Sequence, residues 1–281
     1  MKRGFDLPEP VALPAQRGQT FVKLVELTQR LLAEDGCPWD REQTPHSMRR
    51  YVLEEACEVI DAIEDGNPSE LKEELGDLAL QVVFLAELAR KEAGFGPDDV
   101  VLSICEKLVR RHPHVFEDQT VEDSTEVLRN WEAIKAEEKA GRRVLDGVPR
   151  SLPALARAQR MSDKVSRVGF DWPTKQGSRD KVAEEVAELN EALAGGDRER
   201  VEHELGDLLF ALVNLARHEQ LDAEIALRKA SERFRERFAH VEDRVRAVHG
   251  GFPRAKDGKP APGIALSELD GYWNEAKGRE K

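Results

Sequence analysis

The sequence predicts an all-α protein that contains two tandem copies of one helical bundle domain, with no significant sheet. Helix-favouring residues dominate the composition, and only 6% of the 281 residues are aromatic. An acidic motif occurs twice at one spacing, which is typical of an internal repeat. No segment shows the alternation of a β-strand over a useful length.

The repeated motif is built from carboxylates. Glu54-Glu-x-x-Glu58 followed by Glu74-x-x-Asp77 returns as Glu184-Glu-x-x-Glu188 followed by Glu204-x-x-Asp207, each position shifted by the same 130 residues. Further downstream, Trp131-x-x-x-Lys135 corresponds to Trp273-x-x-x-Lys277. Because the order of features agrees along the chain, we expect one domain over residues 1–145 and a second over residues 146–281.

Helix signals follow one another through the first half. Apolar residues at helical spacing predict a helix over residues 20–34. Thr44-Pro45 and Asn67-Pro68 each supply an N-cap with proline at the first helical position, and Asn67 to Glu70 suggests a capping box. Helices over residues 98–111 and 124–140 complete this half, and the Gly- and Pro-containing residues 141–149 form a linker.

The second half repeats this succession. Helices are expected near residues 153–167, 178–194, 197–219, 222–248 and 267–277. Residues 250–263 are rich in Gly, Pro and Lys, which predicts a mobile loop before the last helix.

The overall charge limits the classes of partner. A formal charge of -12 repels nucleic acid and anionic membranes, so an anionic substrate would need a metal ion or a local basic pocket. Three cysteines without metal-type spacing indicate a reducing compartment. The N-terminus lacks the apolar run of a signal peptide, and no apolar stretch approaches the ~20 residues of a membrane span. We therefore expect a soluble, cytoplasmic protein that binds neither a nucleic acid polymer nor a membrane.

The first acidic motif lies on two helices that should pack against each other. On a helical projection, Val52, Ala56, Val59, Ile60 and Ile63 share one arc, which predicts the core face of the first helix. The glutamates Glu54, Glu55 and Glu58 fall on its flank, where solvated acids are common.

The second helix is predicted to be buried, because residues 78–86 are apolar almost all round. The acids on this helix are therefore not explained as an ordinary solvated face. Glu74, Asp77 and Gln81 form its polar stripe. A short turn makes the two helices antiparallel, so Glu55 and Glu58 can face Glu74 and Asp77. Carboxylates that converge near a core repel one another, and oxygen ligands suit magnesium, so the sequence predicts a metal site in each copy.

These motifs resemble the all-α nucleoside triphosphate pyrophosphohydrolases, and the MazG family in particular. The resemblance rests on the two acidic motifs, on Glu-Leu-Gly-Asp-Leu at 74–78 and 204–208, and on the segments 37–44, 110–116, 150–154 and 168–172. It covers nearly the whole chain. It implies a magnesium-dependent homodimer, with manganese as a possible substitute, that hydrolyses a nucleoside triphosphate to the monophosphate and pyrophosphate.

The resemblance also implies roles for individual residues. Metal ligands of the family fall on Glu185, Glu188, Glu204 and Asp207, with Glu55, Glu58, Glu74 and Asp77 at the matching first-copy positions. Substrate contacts of the family fall on Lys181, Arg200, Glu202, His203, Arg233, Arg237, Trp273 and Lys277. Relatives also imply that the C-terminal domain is the main catalytic one.

Some assignments stay open at this point. Five cationic residues, Lys181, Arg200, Arg233, Arg237 and Lys277, can hold phosphates. Glu184 is the candidate for positioning or deprotonating the attacking water, although it could also be an outer or solvated acid. Trp273 could stack on a base or anchor the last helix, and Trp39 and Trp172 could stack on a base or simply pack.

Two alternative functions remain beside a broad pyrophosphohydrolase that removes unwanted nucleotides. The same fold and metal could serve a narrower substrate, such as dUTP, dCTP or phosphoribosyl-ATP. The two acidic clusters could also be structural parts of a helical interaction protein that is not an enzyme.

Overall fold

The computed structural model describes residues 15–16, 18–138, 141, 143–253 and 263–279. Within these residues the secondary structure consists of α-helices and short turns without a β-strand, which confirms the predicted all-α class. The helices are α1 (Phe21–Leu31), α2 (Pro38–Arg41), α3 (Pro45–Glu64), α4 (Pro68–Glu92), α5 (Pro97–Arg111), α6 (Pro113–Phe116), α7 (Ser124–Glu138), α8 (Ala154–Ser166), α9 (Lys175–Gly195), α10 (Arg198–His218), α11 (Ala223–His249) and α12 (Leu266–Arg279). The predicted loop 250–263 lies largely outside the described residues.

The chain divides into two compact units, Met1–Ala140 and Gly141–Lys281. In the first unit, α3, α1 and α5 each pack against α4. In the second unit, α9 packs against α10, α8 packs against α10 and α11, and α12 packs against α11. Each unit is thus organised around a helix pair that carries one copy of the acidic motif. Among the residues described, no helix is long and apolar enough to cross a membrane.

The helix starts follow the caps that the sequence offers. Thr44 accepts a hydrogen bond from the Ser47 backbone N–H, and the Ser47 hydroxyl accepts one from the Thr44 N–H, so a capping box opens α3. At α4 the Asn67 side chain accepts from the N–H groups of Ser69 and Glu70. The capping box, with its two reciprocal hydrogen bonds, therefore forms at Thr44. At Asn67, where the sequence suggested one, the side-chain oxygen accepts hydrogen bonds from both first-turn N–H groups instead.

The predicted core face of α3 is partly wrong. Ile60 and Ile63 are 39% and 58% exposed, whereas Met48 and Ala62 are the buried residues of this helix. The reason is that α3 packs mainly against one helix, α4. Only a narrow stripe of α3 is therefore covered, whereas a helix inside a bundle would have a wide arc of its surface covered. The prediction for α4 is closer, since Val83, Phe84 and Ala86 are buried.

The last helix is held to α11 by an apolar cluster. Val241, Val245 and Tyr272 are buried together, with Leu269 and Trp273 packed against them. The Trp273 ring lies 5.0 Å from the Phe234 ring, measured between centroids. These contacts support the anchoring role for Trp273, one of the two roles that the sequence left open.

Candidate metal and phosphate site

The turn between α9 and α10 fixes how the second acidic motif is presented. Helix α9 ends at Gly195, and Gly196 adopts φ +71°, a left-handed conformation that glycine reaches without strain. Asp197 then caps α10 by accepting hydrogen bonds from the N–H groups of Glu199 and Arg200. This two-residue turn makes the helices antiparallel neighbours, so the acids of α9 face those of α10.

Three of the predicted metal ligands meet at one point. Glu185, Glu188 and Glu204 each offer a carboxylate oxygen, and these oxygens lie within 4.8 Å of one another. Glu185 is only 4% exposed, and its Oε2 atom is buried without a hydrogen-bond partner. An unsatisfied anionic oxygen beside two further carboxylates is costly, and a bound cation would remove that cost. The donor set, all oxygen, fits magnesium or manganese.

The fourth predicted ligand, Asp207, lies at the edge of this cluster. Its carboxylate forms a second group with His203 and Glu204, and its Oδ2 atom is 3.1 Å from His203 Nδ1. The Asp207 side chain is 49% exposed. Glu204 therefore belongs to both groups and links the buried glutamates to the more open Asp207.

One lysine balances part of the negative charge. Lys181 Nζ lies 2.7 Å from Glu185 Oε1 and donates a hydrogen bond to Glu184 Oε1 at 2.9 Å. These two contacts raise the pKa of Lys181 above its ordinary value, which keeps the ammonium charged. Burial and the charge of Glu185 raise the pKa of Glu188, and Lys181 opposes that shift. The cluster therefore carries an excess of negative charge that Lys181 offsets only in part.

The other predicted α9–α10 residues surround this cluster. Glu184 is 56% exposed and contacts Lys181, which places it beside the cluster and at solvent. Arg200 Nε lies 3.6 Å from Glu204 Oε1, and Arg200 Nη2 lies 3.5 Å from Glu191. Glu202 is exposed on α10.

The remaining predicted substrate residues lie together on α11 and α12. The Arg237 guanidinium sits 5.7 Å from the centroid of the Trp273 ring, which is within the range of a cation–π contact. Arg233 and Lys277 are exposed on the same two helices. The structure thus groups these residues with one another on the α11–α12 pair, while the carboxylate cluster belongs to the α9–α10 pair.

The first copy has a similar acidic cluster in a different electrostatic setting. Glu55, Glu58 and Glu74 offer oxygens within 4.8 Å of one another, and Gln81 donates a 3.4 Å hydrogen bond to Glu55. Burial, together with the charges of Asp77, Glu58 and Glu74, raises the pKa of Glu55. Burial and the surrounding charges of Glu58, Asp77, Glu73 and Glu70 likewise raise the pKa of Glu74. The position of Lys181 is taken here by a tyrosine, Tyr51.

Sequence reasoning missed an ionic network at the far end of α10. Arg217 donates to both carboxylate oxygens of Asp171, at 2.8 and 2.5 Å, and His218 Nε2 lies 3.0 Å from Asp171 Oδ1. The Arg217 contacts hold the pKa of Asp171 below its usual range. Asp171 lies in the 168–172 segment that carried part of the resemblance, in the loop before α9. Its partners lie on α10, and no spacing in the sequence indicated them.

Comparison with known proteins identifies the class. Residues 43–116 and 174–242 each match the MazG nucleotide pyrophosphohydrolase domain, so the match falls once on each acidic motif. The chain belongs to the MazG family.

Two relatives align with this chain over almost their whole length. The nucleoside triphosphate pyrophosphohydrolase of Escherichia coli is 46% identical over 264 residues, which cover 92% of this chain and 97% of the relative. The nucleoside triphosphate pyrophosphohydrolase/pyrophosphatase MazG of Thermotoga maritima is 41% identical over 268 residues, which cover 95% and 99%. The similarity therefore includes both domains and is not limited to one motif.

Proposed function

We propose that this protein is a hydrolase that converts nucleoside triphosphates to nucleoside monophosphates and pyrophosphate, with magnesium as its cofactor. One observation carries the proposal: the buried, unpartnered Oε2 of Glu185 lies within a group of three carboxylates beside Lys181. The names of the relatives at 46% and 41% identity support the same activity.

In this proposal Glu185, Glu188, Glu204 and Asp207 hold the metal. A bound divalent ion neutralises charge on non-bridging phosphate oxygens and makes a water molecule more acidic. Lys181 is already charged and lies against Glu185, so it can bind a phosphate oxygen that reaches the cluster. Arg200, at the exposed edge of Glu204, can do the same from the other helix.

Glu184 is the proposed base for the attacking water. It lies at solvent, next to the cluster, and Lys181 fixes its carboxylate through a 2.9 Å hydrogen bond. A carboxylate in that position can accept the proton that water loses when its oxygen attacks phosphorus. Glu202, His203, Arg233, Arg237, Trp273 and Lys277 remain proposed substrate contacts, with Trp273 acting by packing beside Arg237.

Product analysis tests the reaction. We expect pyrophosphate and the matching monophosphate, in equal amounts, from each of the four common ribonucleoside triphosphates and their deoxy forms. Turnover of dUTP or dCTP alone, or of phosphoribosyl-ATP alone, would instead show the narrower activity. Orthophosphate as the first product, or no product from any nucleotide, would contradict the proposal, and the second result would favour a non-enzymatic interaction protein.

We also infer that the protein is a homodimer. Leu205, Leu209 and Leu212 recur at helical spacing along α10 and are 46%, 47% and 44% exposed, so they form an apolar stripe. We expect sedimentation at micromolar concentration to give twice the chain mass of 31.6 kDa. Leu209→Glu should shift the protein toward the monomer, while Glu199→Gln on the same helix should not. A monomeric unaltered protein would contradict the inference.

A further inference from the structure

Gln81 is a buried side chain of the first unit whose oxygen atom has no partner. The residue is 7% exposed, and its Oε1 atom is buried without a hydrogen-bond partner. Its Nε2 atom donates a long hydrogen bond of 3.4 Å to Glu55 Oε1. A buried carbonyl oxygen that accepts no hydrogen bond destabilises the fold. A ligand that binds this oxygen would remove that cost.

The unpartnered oxygen lies beside the first carboxylate cluster. Gln81 follows Asp77 by four residues and Glu74 by seven on α4, so the three side chains lie on one face of that helix. Glu55, Glu58 and Glu74 offer oxygens within 4.8 Å of one another. Because the bond lengths of an amide place its nitrogen and oxygen ~2.2 Å apart, Gln81 Oε1 lies no more than about 6 Å from Glu55 Oε1. The amide oxygen is thus close enough to share a ligand with the carboxylates.

The second copy offers no such oxygen. At the shift of 130 residues that relates the two motifs, Gln81 corresponds to Ala211, which is buried on α10. The second cluster instead has Lys181 Nζ at 2.7 Å from Glu185, and the position of this lysine is Tyr51 in the first copy. The first copy therefore gains a neutral oxygen donor and loses an internal cation. Both differences favour a bound metal ion and neither favours a phosphate.

The number and kind of oxygen donors distinguish small from large divalent ions. Magnesium requires near-ideal octahedral geometry, keeps several waters and usually takes only one or two carboxylates. Calcium takes about six to eight oxygens in a flexible geometry, and these include carboxylates and the carbonyls of Asn and Gln. Three converging carboxylates together with the Gln81 amide match the second description.

We propose that the first copy holds a structural site for a divalent cation larger than magnesium, such as calcium or manganese, with the Gln81 oxygen as one ligand. Glu55 and Glu58 bind the ion from α3, and Glu74 and Gln81 bind it from α4. The ion therefore connects the two helices and neutralises acids that otherwise repel one another between them. This role involves no catalysis, so the proposal is independent of the function proposed above.

Calcium binding to the metal-free, full-length chain tests the site by isothermal titration calorimetry. Glu188→Gln removes a ligand of the second cluster, so the binding that remains in this background belongs to the first. We expect one calcium ion per chain, bound more tightly than magnesium. Gln81→Met keeps the side-chain volume but removes the oxygen, and should weaken calcium binding about tenfold or more, since even a group that only supports a ligand contributes that much. Magnesium affinity should change less, because magnesium can keep a water instead.

The melting temperature gives a second measurement. Excess calcium should raise it in Glu188→Gln, because the folded chain binds the ion and the unfolded chain does not. The rise should be smaller when Gln81→Met is added. Without metal, Gln81→Met should melt level with its background or above it, since an unsatisfied buried oxygen is removed and only a long hydrogen bond is lost.

A matched control comes from another glutamine of the same unit. Gln29 lies on α1 and donates a 3.0 Å hydrogen bond to Glu87, away from the carboxylate cluster. Gln29→Met makes the same chemical change there. In the Glu188→Gln background it should bind calcium with unchanged affinity.

Three results would overturn the proposal. Equal calcium affinity with and without Gln81→Met would show that the amide is not a ligand. No calcium binding in Glu188→Gln would show that the first copy has no site. Tighter binding of magnesium than of calcium would contradict the preference for a large ion. Should Gln81→Met fail to fold, Gln81→Ala, which introduces the residue of the second copy, decides by the same measurement. None of these results involves a nucleotide, so failure of the proposed hydrolysis would leave them unchanged.

Discussion

Chelation of divalent cations is expected to abolish pyrophosphate release, and added magnesium is expected to restore it. The reason is electrostatic: Glu185, Glu188 and Glu204 converge on one point, and a triphosphate adds further negative charge. Lys181 against Glu185 and Arg200 at 3.6 Å from Glu204 offset this charge only in part. Without a metal, the substrate and the cluster repel each other. Manganese should also restore turnover because it accepts the same oxygen ligands. Chelator that has been saturated with magnesium beforehand serves as the control and should have no effect.

The same metal should be visible without any substrate. Magnesium at 100 times its dissociation constant stabilises a folded protein by about 2.7 kcal/mol if the unfolded chain does not bind it, so the melting temperature should rise on addition. Glu188→Gln removes one ligand and should largely abolish that rise. In the metal-free protein the same variant should melt higher than the unaltered chain, because burial and the charge of Glu185 already disfavour ionised Glu188.

Two results would count against the metal site. Full turnover in excess chelator would show that the carboxylates act without an ion. An equal magnesium-induced rise in the melting temperature of Glu188→Gln and of the unaltered protein would place the ion elsewhere. Glu199→Gln, which makes the same chemical change on α10 away from the cluster, should behave like the unaltered chain in both measurements.

The local part of this structure could be predicted from the sequence. Caps such as Thr44 and Asn67 bond to N–H groups within three residues of themselves, so the starts of α3 and α4 depend on neighbouring residues only. The carboxylate cluster was also predictable, because a turn of two residues between α9 and α10 leaves little freedom in how their acids meet.

The rest depends on packing between elements distant in sequence. The partners of Asp171 on α10 are 46 and 47 residues away, and nothing local in the 168–172 segment specifies them. The exposure of Ile63 on α3 follows from how many helices cover α3, which its own periodicity does not reveal. The same holds for Trp273: its ring could suit a base or a core, and its packing against the buried cluster of Val241, Val245 and Tyr272 supports the core.

Loss of one carboxylate should have very different effects in the two copies. Glu204→Gln is expected to lower kcat by about 100-fold or more, the scale seen when a preorganised charge at a reaction centre is removed. Glu74→Gln, the matching change in the first copy, is expected to leave most turnover intact. The difference arises from the cations: the position of Lys181 is Tyr51 in the first copy, and the position of Arg200 is Glu70.

The pKa shifts in the first copy support this asymmetry. Burial and the charges of Glu58, Asp77, Glu73 and Glu70 raise the pKa of Glu74. Burial and the charge of Glu185 also raise the pKa of Glu188 in the second copy, but there the charge of Lys181 opposes the shift. An all-acidic cluster can attract a cation, but it repels the phosphates that the reaction must bring in. Both variants should be measured at saturating magnesium with their melting temperatures checked, so that lost folding is not taken for lost catalysis. If Glu74→Gln abolishes turnover and Glu204→Gln spares it, the main catalytic site lies in the N-terminal domain. The argument that turnover requires the cations Lys181 and Arg200 would then be wrong.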